Sequence, residues 1–195
     1  MRLNLPAIVP LARPGARTPY QATLGGYTGS PDSLATMIRA VRDGEADPVV
    51  RQWAVETIRG VTPRDYLSER AAIFYRLCRE IRYTLDPAHT EQIAHPRVTL
   101  EQRSGDCDDM AVFNQAANEA LQAAADLAAQ LCAAGCAAEF VIVTLEKPRS
   151  ADPFTHVFLR AQHPTTGEWL VFDAVAGPWT PEMLRAVRVW RSQPV

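Results

Sequence analysis

The chain has 195 residues, which is enough for one domain with a sizeable buried core but short for two full domains. Hydrophobic residues make up 47% of it and charged residues 22%, which sets aside the compositions of disordered and membrane-embedded proteins. Because the net charge is −2, the chain lacks the basic excess that binds nucleic acid. We expect neither nucleic acid nor a membrane as its partner.

Residues 1–30 are predicted to form an extended N-terminal arm, and residues 31–195 a single domain. The residues that disfavour a packed helix in the arm are Pro6, Pro10, Pro14, Pro19, Gly25, Gly26 and Gly29. These prolines also interrupt the early apolar stretch, which makes it a poor signal-peptide core. Four cysteines are too few for a dense disulfide framework in this length. The expected location is therefore the cytoplasm.

Three helices are predicted in the first half of the domain. A short one follows Ser30-Pro31, where apolar residues between Leu34 and Val41 recur at helical spacing. A second covers about Pro48 to Arg59. A third opens at Thr62-Pro63 and ends before Asp86-Pro87, because the residue before a proline disfavours helix.

A loop and a long helix are predicted next. Residues 86–106 show little periodicity, so we interpret them as a loop that leads into Ser104-Gly105-Asp106-Cys107. Between Asp108 and Ala134 the chain is rich in alanine and contains neither proline nor glycine, which predicts a helix of about 40 Å. The histidines expected to lie in loops and to face solvent are His89, His95 and His163.

Strand-like runs rich in Val, Phe and Leu follow the long helix, at residues 138–145, 154–161 and 169–174. Pro164 to Gly167 is predicted to be the turn of a hairpin between the last two. The segment 181–189 fits either a short helix or an edge strand. The predicted fold class is thus α+β, with helices packed on an antiparallel sheet.

The order of these elements favours a thiol nucleophile. A cysteine in the first turn of a helix is stabilised as a thiolate by the helix dipole and by backbone N–H groups, and Cys107 is predicted to lie there. His156 lies in one hairpin strand and Asp173 at the end of the next. The predicted register places these two residues opposite each other, about 5 Å apart at Cβ. Imidazole and carboxylate are the partners that a catalytic cysteine needs.

Three ordered blocks carry a resemblance to a known family: Arg103 to Ala111 around Gly-Asp-Cys, Thr155-His156-Val157-Phe158, and Trp169 to Asp173. Together they resemble the core of the transglutaminase-like superfamily, over roughly residues 66–175. The resemblance implies a papain-like α+β fold in which the cysteine opens a helix packed on a sheet that carries the histidine and aspartate. Members include crosslinking transglutaminases, cysteine peptidases, peptide N-glycanases and many bacterial and phage proteins.

The expected chemistry is acyl transfer on a peptide or protein amide, without a cofactor or a metal. Cys107 attacks the carbonyl, His156 protonates the leaving amine, and Asp173 orients the imidazole. Water or an amine then resolves the thioester, so hydrolysis and crosslinking both stay open. The oxyanion would be bound by the backbone N–H of Cys107 and a second donor, for which Gln102 is the nearest side-chain amide.

Structural readings compete with these assignments. Asp106, Asp108 and Asp109 suit a helix start, where they could also anchor the loop by hydrogen bonds, and their charge opposes formation of a thiolate. They lack the spaced loop of an EF-hand, which argues against calcium. Cys78 is expected in the core, and the pair Cys132 and Cys136 lacks the pattern of a zinc site.

A second functional reading is a non-catalytic assembly or binding module of the same fold, for example a phage component. The lengthened helix at about 108–134 favours it, since compact relatives have a shorter helix after the cysteine. The N-terminal arm or this helix would then bind a protein partner.

Overall fold

The computed structural model describes residues 21–24, 31–87, 91–129, 137–143, 156–163, 165–175 and 190–195. These residues form an α+β fold with five helices and eight strands, as the sequence predicts. No helix in these ranges has both the length and the apolar character needed to cross a membrane. Of the predicted N-terminal arm, strand β1 (Gln21–Leu24) is described, and it is extended.

The three predicted N-terminal helices are present as α1 (Pro31–Glu45), α2 (Pro48–Thr57) and α3 (Tyr66–Glu80). Helix α2 starts at Pro48 because the carboxylate of Asp47 accepts hydrogen bonds from the N–H groups of Val49 and Val50, at 2.7 and 3.3 Å. Helix α3 begins a few residues later than predicted, since its capping residue is Asp65.

The predicted loop at 86–106 is wrong, because short elements fill much of it. Strand β2 (Arg82–Tyr83) ends just before it, and β3 (Glu91–Ala94), α4 (Pro96–Gln102) and β4 (Ser104–Gly105) follow. Strand β1 pairs antiparallel with β3, and β2 pairs parallel with β4. Elements this short carry no readable hydrophobic period, which is why the sequence pattern missed them.

His95 corrects a second expectation, because it is only 5% exposed instead of facing solvent. It is the N-cap of α4, where its Nδ1 atom accepts a hydrogen bond from the N–H of Arg97 at 3.1 Å. Pro96 occupies the first helical position, where a missing N–H costs nothing. His163 is half-buried in a turn, and His89 lies outside the described residues.

Helix α5 (Cys107–Ala129) is the predicted long helix, with 23 described residues and a length of about 35 Å. It starts at the cysteine itself. The predicted end at Ala134 lies outside the described residues, as do Cys132 and Cys136. Helices α1 to α4 all pack against α5, which makes it the centre of the helical layer.

The sheet opposite α5 has four antiparallel strands in the order β7-β6-β5-β8. Strands β5 (Ala138–Val143), β6 (His156–Gln162) and β7 (Trp169–Phe172) match the three predicted runs, with shorter ends. Strand β8 (Trp190–Pro194) was not predicted, and it lies just beyond the segment 181–189, which is outside the described residues.

The main core lies between α5 and the sheet, where Phe113 meets the face that carries Phe140, Ile142 and Leu159. Each of these side chains is fully buried, and such burial contributes about 1.5–3 kcal/mol per side chain. A smaller apolar cluster on the sheet contains Val141, Val143 and Phe158.

Cys78 is exposed on α3, so its expected place in the core is wrong. The buried positions of this helix are Arg70, Ile73 and Leu77, which follow the spacing of three and four residues that one helix face requires. Cys78 comes one residue after Leu77, and it is therefore turned by about 100° from that face.

Candidate active site

The segment before the cysteine is held in place on both sides by backbone contacts. Arg103 ends α4 in the left-handed region with φ 55, which redirects the chain into β4. There Arg82 donates its N–H to the carbonyl of Arg103 at 2.9 Å, and Thr84 donates to Gly105 at 3.0 Å. These bonds fix the two residues that precede the start of α5, so Cys107 is presented from a supported position.

Cys107 is the first residue of α5, where the sequence predicts it. Its side chain is buried, with 8% exposed, and it faces a small cavity of about 10 Å³ beside the sheet. Met110 and Ala111 of the same helix line this cavity, and Phe172 and Asp173 line it from the end of β7. The thiol and the Asp173 carboxylate therefore share one cavity, although they are 66 residues apart in sequence.

His156 and Asp173 are also brought together, since the Nε2 atom of the imidazole lies 2.7 Å from Oδ2 of the carboxylate. Both side chains are buried, with 5% and 2% exposed. The other carboxylate oxygen of Asp173, Oδ1, accepts the N–H of Val175 at 2.9 Å. Opposite an ionised carboxylate, Nε2 carries the hydrogen, which leaves Nδ1 as the nitrogen for proton exchange.

The predicted register behind this contact is wrong by two residues. The β6–β7 ladder pairs Leu159 with Phe172, and the same register continued by one residue places Phe158 opposite Asp173. His156 is thus a diagonal neighbour on the same face, and its long side chain reaches across to Asp173. The hydrogen bond forms because β7 ends at Phe172, so that Asp173 lies just beyond the ladder.

Three buried carboxyl groups surround the start of α5, as the sequence places them: Asp106, Asp108 and Asp109. Asp109 anchors the neighbouring strand, because its Oδ1 atom accepts the N–H of Ala94 at 2.6 Å. Burial raises the pKa of Asp109 to about 8, and the charges of Asp106 and Asp86 add to the shift. The hydrogen bond from Ala94 opposes it only in part.

Asp108 is held in its neutral form even more strongly. Burial first, and then the neighbouring carboxyl of Asp106, raise the pKa of Asp108 well above its usual range. Its Oδ1 atom accepts the N–H of Asp109 at 2.8 Å, whereas its buried Oδ2 atom meets no donor among the described residues. Protonation makes that carboxyl a donor to Asp106. Neutral Asp108 and Asp109 oppose a thiolate at Cys107 less than their formal charges suggest.

The same three carboxyls are the group whose spacing could hold a cation, since ligand oxygens of Asp106, Asp108 and Asp109 lie within 4.8 Å of one another. Protonation already relieves their crowding, because the pKa values of Asp108 and Asp109 are raised. Asp109 is also committed to the backbone of Ala94. We assign no metal to them.

Gln102, the predicted second oxyanion donor, is exposed at the last turn of α4 and is not part of the cavity wall at Cys107. A residue that the sequence analysis did not consider lies closer. Tyr83 pairs with Gly105 in the β2–β4 ladder, and its pKa responds to the charges of Cys107 and Asp173. Only the pairing of two very short strands reveals this neighbour, and no local pattern announces such a pairing.

Glu80, at the end of α3, supports the site from behind. Its carboxylate accepts the indole N–H of Trp53 at 3.1 Å and the guanidinium groups of Arg76 and Arg103 at 2.8 and 2.9 Å. Burial alone would raise the pKa of Glu80, but the hydrogen bonds from Arg76 and Trp53 lower it overall. The residue that turns the chain toward Cys107 is therefore tied to two helices.

Comparison with family models, with curated protein sequences and with solved structures found no match to this chain.

Proposed function

We propose that the protein catalyses acyl transfer or hydrolysis on peptide or protein amides through Cys107, with a papain-like core of the transglutaminase-like kind. One observation carries the proposal. The buried His156–Asp173 pair, with 2.7 Å between Nε2 and Oδ2, adjoins the cavity at which the thiol of Cys107 starts a helix. Thiol, imidazole and carboxylate at one place are the parts that this chemistry needs.

Each residue has a distinct role in the proposed reaction. The sulfur of Cys107 bonds to the amide carbon, and the carbonyl π electrons move onto oxygen. When they return, the C–N bond breaks and the imidazolium of His156 gives its proton to the leaving amine. Asp173 stabilises that imidazolium and fixes its orientation. Water or an amine then attacks the thioester and releases Cys107.

The test compares two thiols of opposite exposure. Cys107 is buried with 8% exposed, whereas Cys78 is exposed, so simple accessibility predicts faster alkylation of Cys78. The pKa of Cys78 is raised by burial and then by the charge of Asp173, which keeps this thiol protonated at neutral pH. Iodoacetamide labelling read by mass spectrometry gives both rates in one sample, together with those of Cys132 and Cys136.

We expect Cys107 to react faster than Cys78 at pH 7 and to show a rate plateau well below pH 8. A free thiol with a pKa near 8.5 is about 3% ionised at pH 7, so activation accelerates labelling by up to roughly 30-fold. His156→Ala should abolish the plateau. His163→Ala, which removes a half-buried imidazole from the β6–β7 turn, is the matched control and should leave it unchanged.

The size of the cavity favours a second candidate, a binding module without turnover. About 10 Å³ holds a single water molecule at most, so an amide group does not fit there without movement. If Cys107 titrates like an ordinary thiol in both the parent protein and His156→Ala, the catalytic proposal is wrong and this second function takes its place.

A further inference from the structure

Tyr83 lies on the face of the β2–β4 ladder that is turned toward the start of α5. It is the register partner of Gly105, and paired residues of neighbouring strands point their side chains to the same face. A Cβ atom placed on Gly105 would lie 2.7 Å from Cβ of Asp109, in the first turn of α5. The tyrosine ring therefore leaves its strand in the direction of the helix that Cys107 begins.

The ring is also accessible from outside, because Tyr83 is 42% exposed while Cys107 is buried behind it. The cavity on the inner side of Cys107 is too small for an amide group. A substrate must consequently approach from the outer side, where the Tyr83 side chain is available for contact. Gln102, the alternative donor from the sequence, is at the end of α4 and separated from Cys107 by β4.

The electrostatic surroundings keep the Tyr83 hydroxyl protonated. Partial burial raises its pKa to about 12, with further contributions from Cys107, Asp106, Asp108 and Asp173. The response to both Cys107 and Asp173 places the hydroxyl in the field of the proposed catalytic groups. A phenol that stays protonated across the working pH range is a permanent hydrogen-bond donor.

We propose that the Tyr83 hydroxyl donates a hydrogen bond to the carbonyl oxygen of the acyl group that Cys107 attacks, an inference that rests on the proposed function. As the S–C bond forms, the carbonyl π pair becomes the negative charge of an oxyanion, and the hydrogen bond strengthens with it. The pair returns to the carbonyl when the C–N bond breaks. Tyr83 keeps its proton throughout, and the amine leaves with the proton from His156.

Two probes with different demands test this role. p-Nitrophenyl acetate acylates a thiol through an oxyanion, whereas iodoacetamide alkylates it by displacement at a saturated carbon and needs only the thiolate. The rates are measured for the parent protein, Tyr83→Phe and the control Tyr75→Phe, which removes the hydroxyl of a tyrosine that is 67% exposed on α3. Cys107→Ala supplies the background, and far-UV circular dichroism verifies folding.

In Tyr83→Phe we expect acylation of Cys107 to slow by on the order of 10²-fold, which is typical for the loss of one oxyanion donor. Alkylation should stay within about 2-fold of the parent, since a hydroxyl that binds the carbonyl does not act on the thiolate. Tyr75→Phe should change neither rate. The slowing should be the same from pH 6 to pH 9, because the hydroxyl is protonated throughout.

Two results overturn the role of Tyr83 while leaving the proposed function intact. Equal acylation rates for the parent and Tyr83→Phe remove the hydrogen bond, and equal losses in acylation and alkylation show that Tyr83 acts on the thiolate instead. A different result overturns both proposals. If the parent gives no acylation above Cys107→Ala and no faster alkylation of Cys107 than of Cys78, there is no activated thiol for Tyr83 to assist.

Discussion

His156 donates a 2.7 Å hydrogen bond to Asp173 although the two residues are not cross-strand partners. Their contact depends on a diagonal reach across the end of the β6–β7 hairpin. The second oxygen of Asp173 is occupied by the N–H of Val175, so one carboxylate holds both the imidazole and the chain that leaves the strand. Function and local stability are thus linked at Asp173.

Asp173→Ala should lower the free energy of unfolding by about 2–3 kcal/mol, because it leaves the imidazole of His156 and the N–H of Val175 without their acceptor. Asp173→Asn should cost less, since its single amide oxygen still serves one of the two donors. Urea unfolding of both variants measures the difference. Equal stabilities of Ala and Asn variants would contradict the double role of the carboxylate.

Asp109→Asn should make stability less dependent on pH. In the folded protein the pKa of Asp109 is raised to about 8, from an ordinary value of 3.8, so between these limits the folded state binds a proton that the unfolded chain releases. The parent is therefore stabilised at the acidic end and loses this stability as the pH rises toward 8. The slope reaches at most about 1.4 kcal/mol per pH unit.

The measurement is urea unfolding of the parent and Asp109→Asn between pH 5 and pH 8, with the variant gaining relative stability as the pH rises. Asparagine keeps the acceptor for Ala94, so the hydrogen bond at 2.6 Å is retained in the comparison. Asp65→Asn is the control, because hydrogen bonds from Ser68 lower the pKa of Asp65 and its titration is complete below this range. A constant difference for Asp109→Asn would show that its carboxyl is ionised throughout.

Glu80→Ala should lower the free energy of unfolding by about 2 kcal/mol, since three donors from separate segments lose a shared charged acceptor. Glu101→Ala is the matched control. It removes a glutamate that pairs only along its own helix with Arg97, an arrangement that contributes about 0.3–0.5 kcal/mol. Chemical denaturation compares the two, and a loss for Glu80→Ala no larger than for the control would deny Glu80 its supporting role.

Gly105→Ala should destabilise the protein by about 1–3 kcal/mol through overpacking. The new methyl group would lie 2.7 Å from Cβ of Asp109, which is fixed by its own helix and by Ala94. Gly167→Ala meets open space, and its cost comes from a backbone angle of φ +71, so it separates crowding from backbone strain. Thermal unfolding measures both, and Cys107 labelling should change only in Gly105→Ala.

Local patterns in the sequence predicted the elements that carry their own signal. The alanine-rich run gave α5 and the position of Cys107 at its start, and strand-like runs gave β5 to β7. The side chains of His156 and Asp173 meet as predicted, but the register needed correction. The turn is closed by a bond from the N–H of His163 to the carbonyl of Glu168 at 2.7 Å, which moves every partner along the ladder.

Contacts between distant segments could not be predicted in this way. The pairing of β2 with β4 involves two residues from each strand, too few for any period to appear. The position of Tyr83 beside the cysteine segment depends on it. Likewise, nothing near His95 in sequence distinguishes a helix cap from a solvent-facing side chain, because the distinction comes from the helix that follows.

The arrangement around Glu80 has a consequence for the evolution of this chain. Trp53, Arg76 and Arg103 belong to different segments, yet each donates to one carboxylate, so a change at any of them alters the demand on the other two. Substitutions at these positions should be accepted together more readily than alone. In a future set of homologues, positions 53, 76, 80 and 103 are therefore expected to covary, as a record of the geometry that supports Cys107.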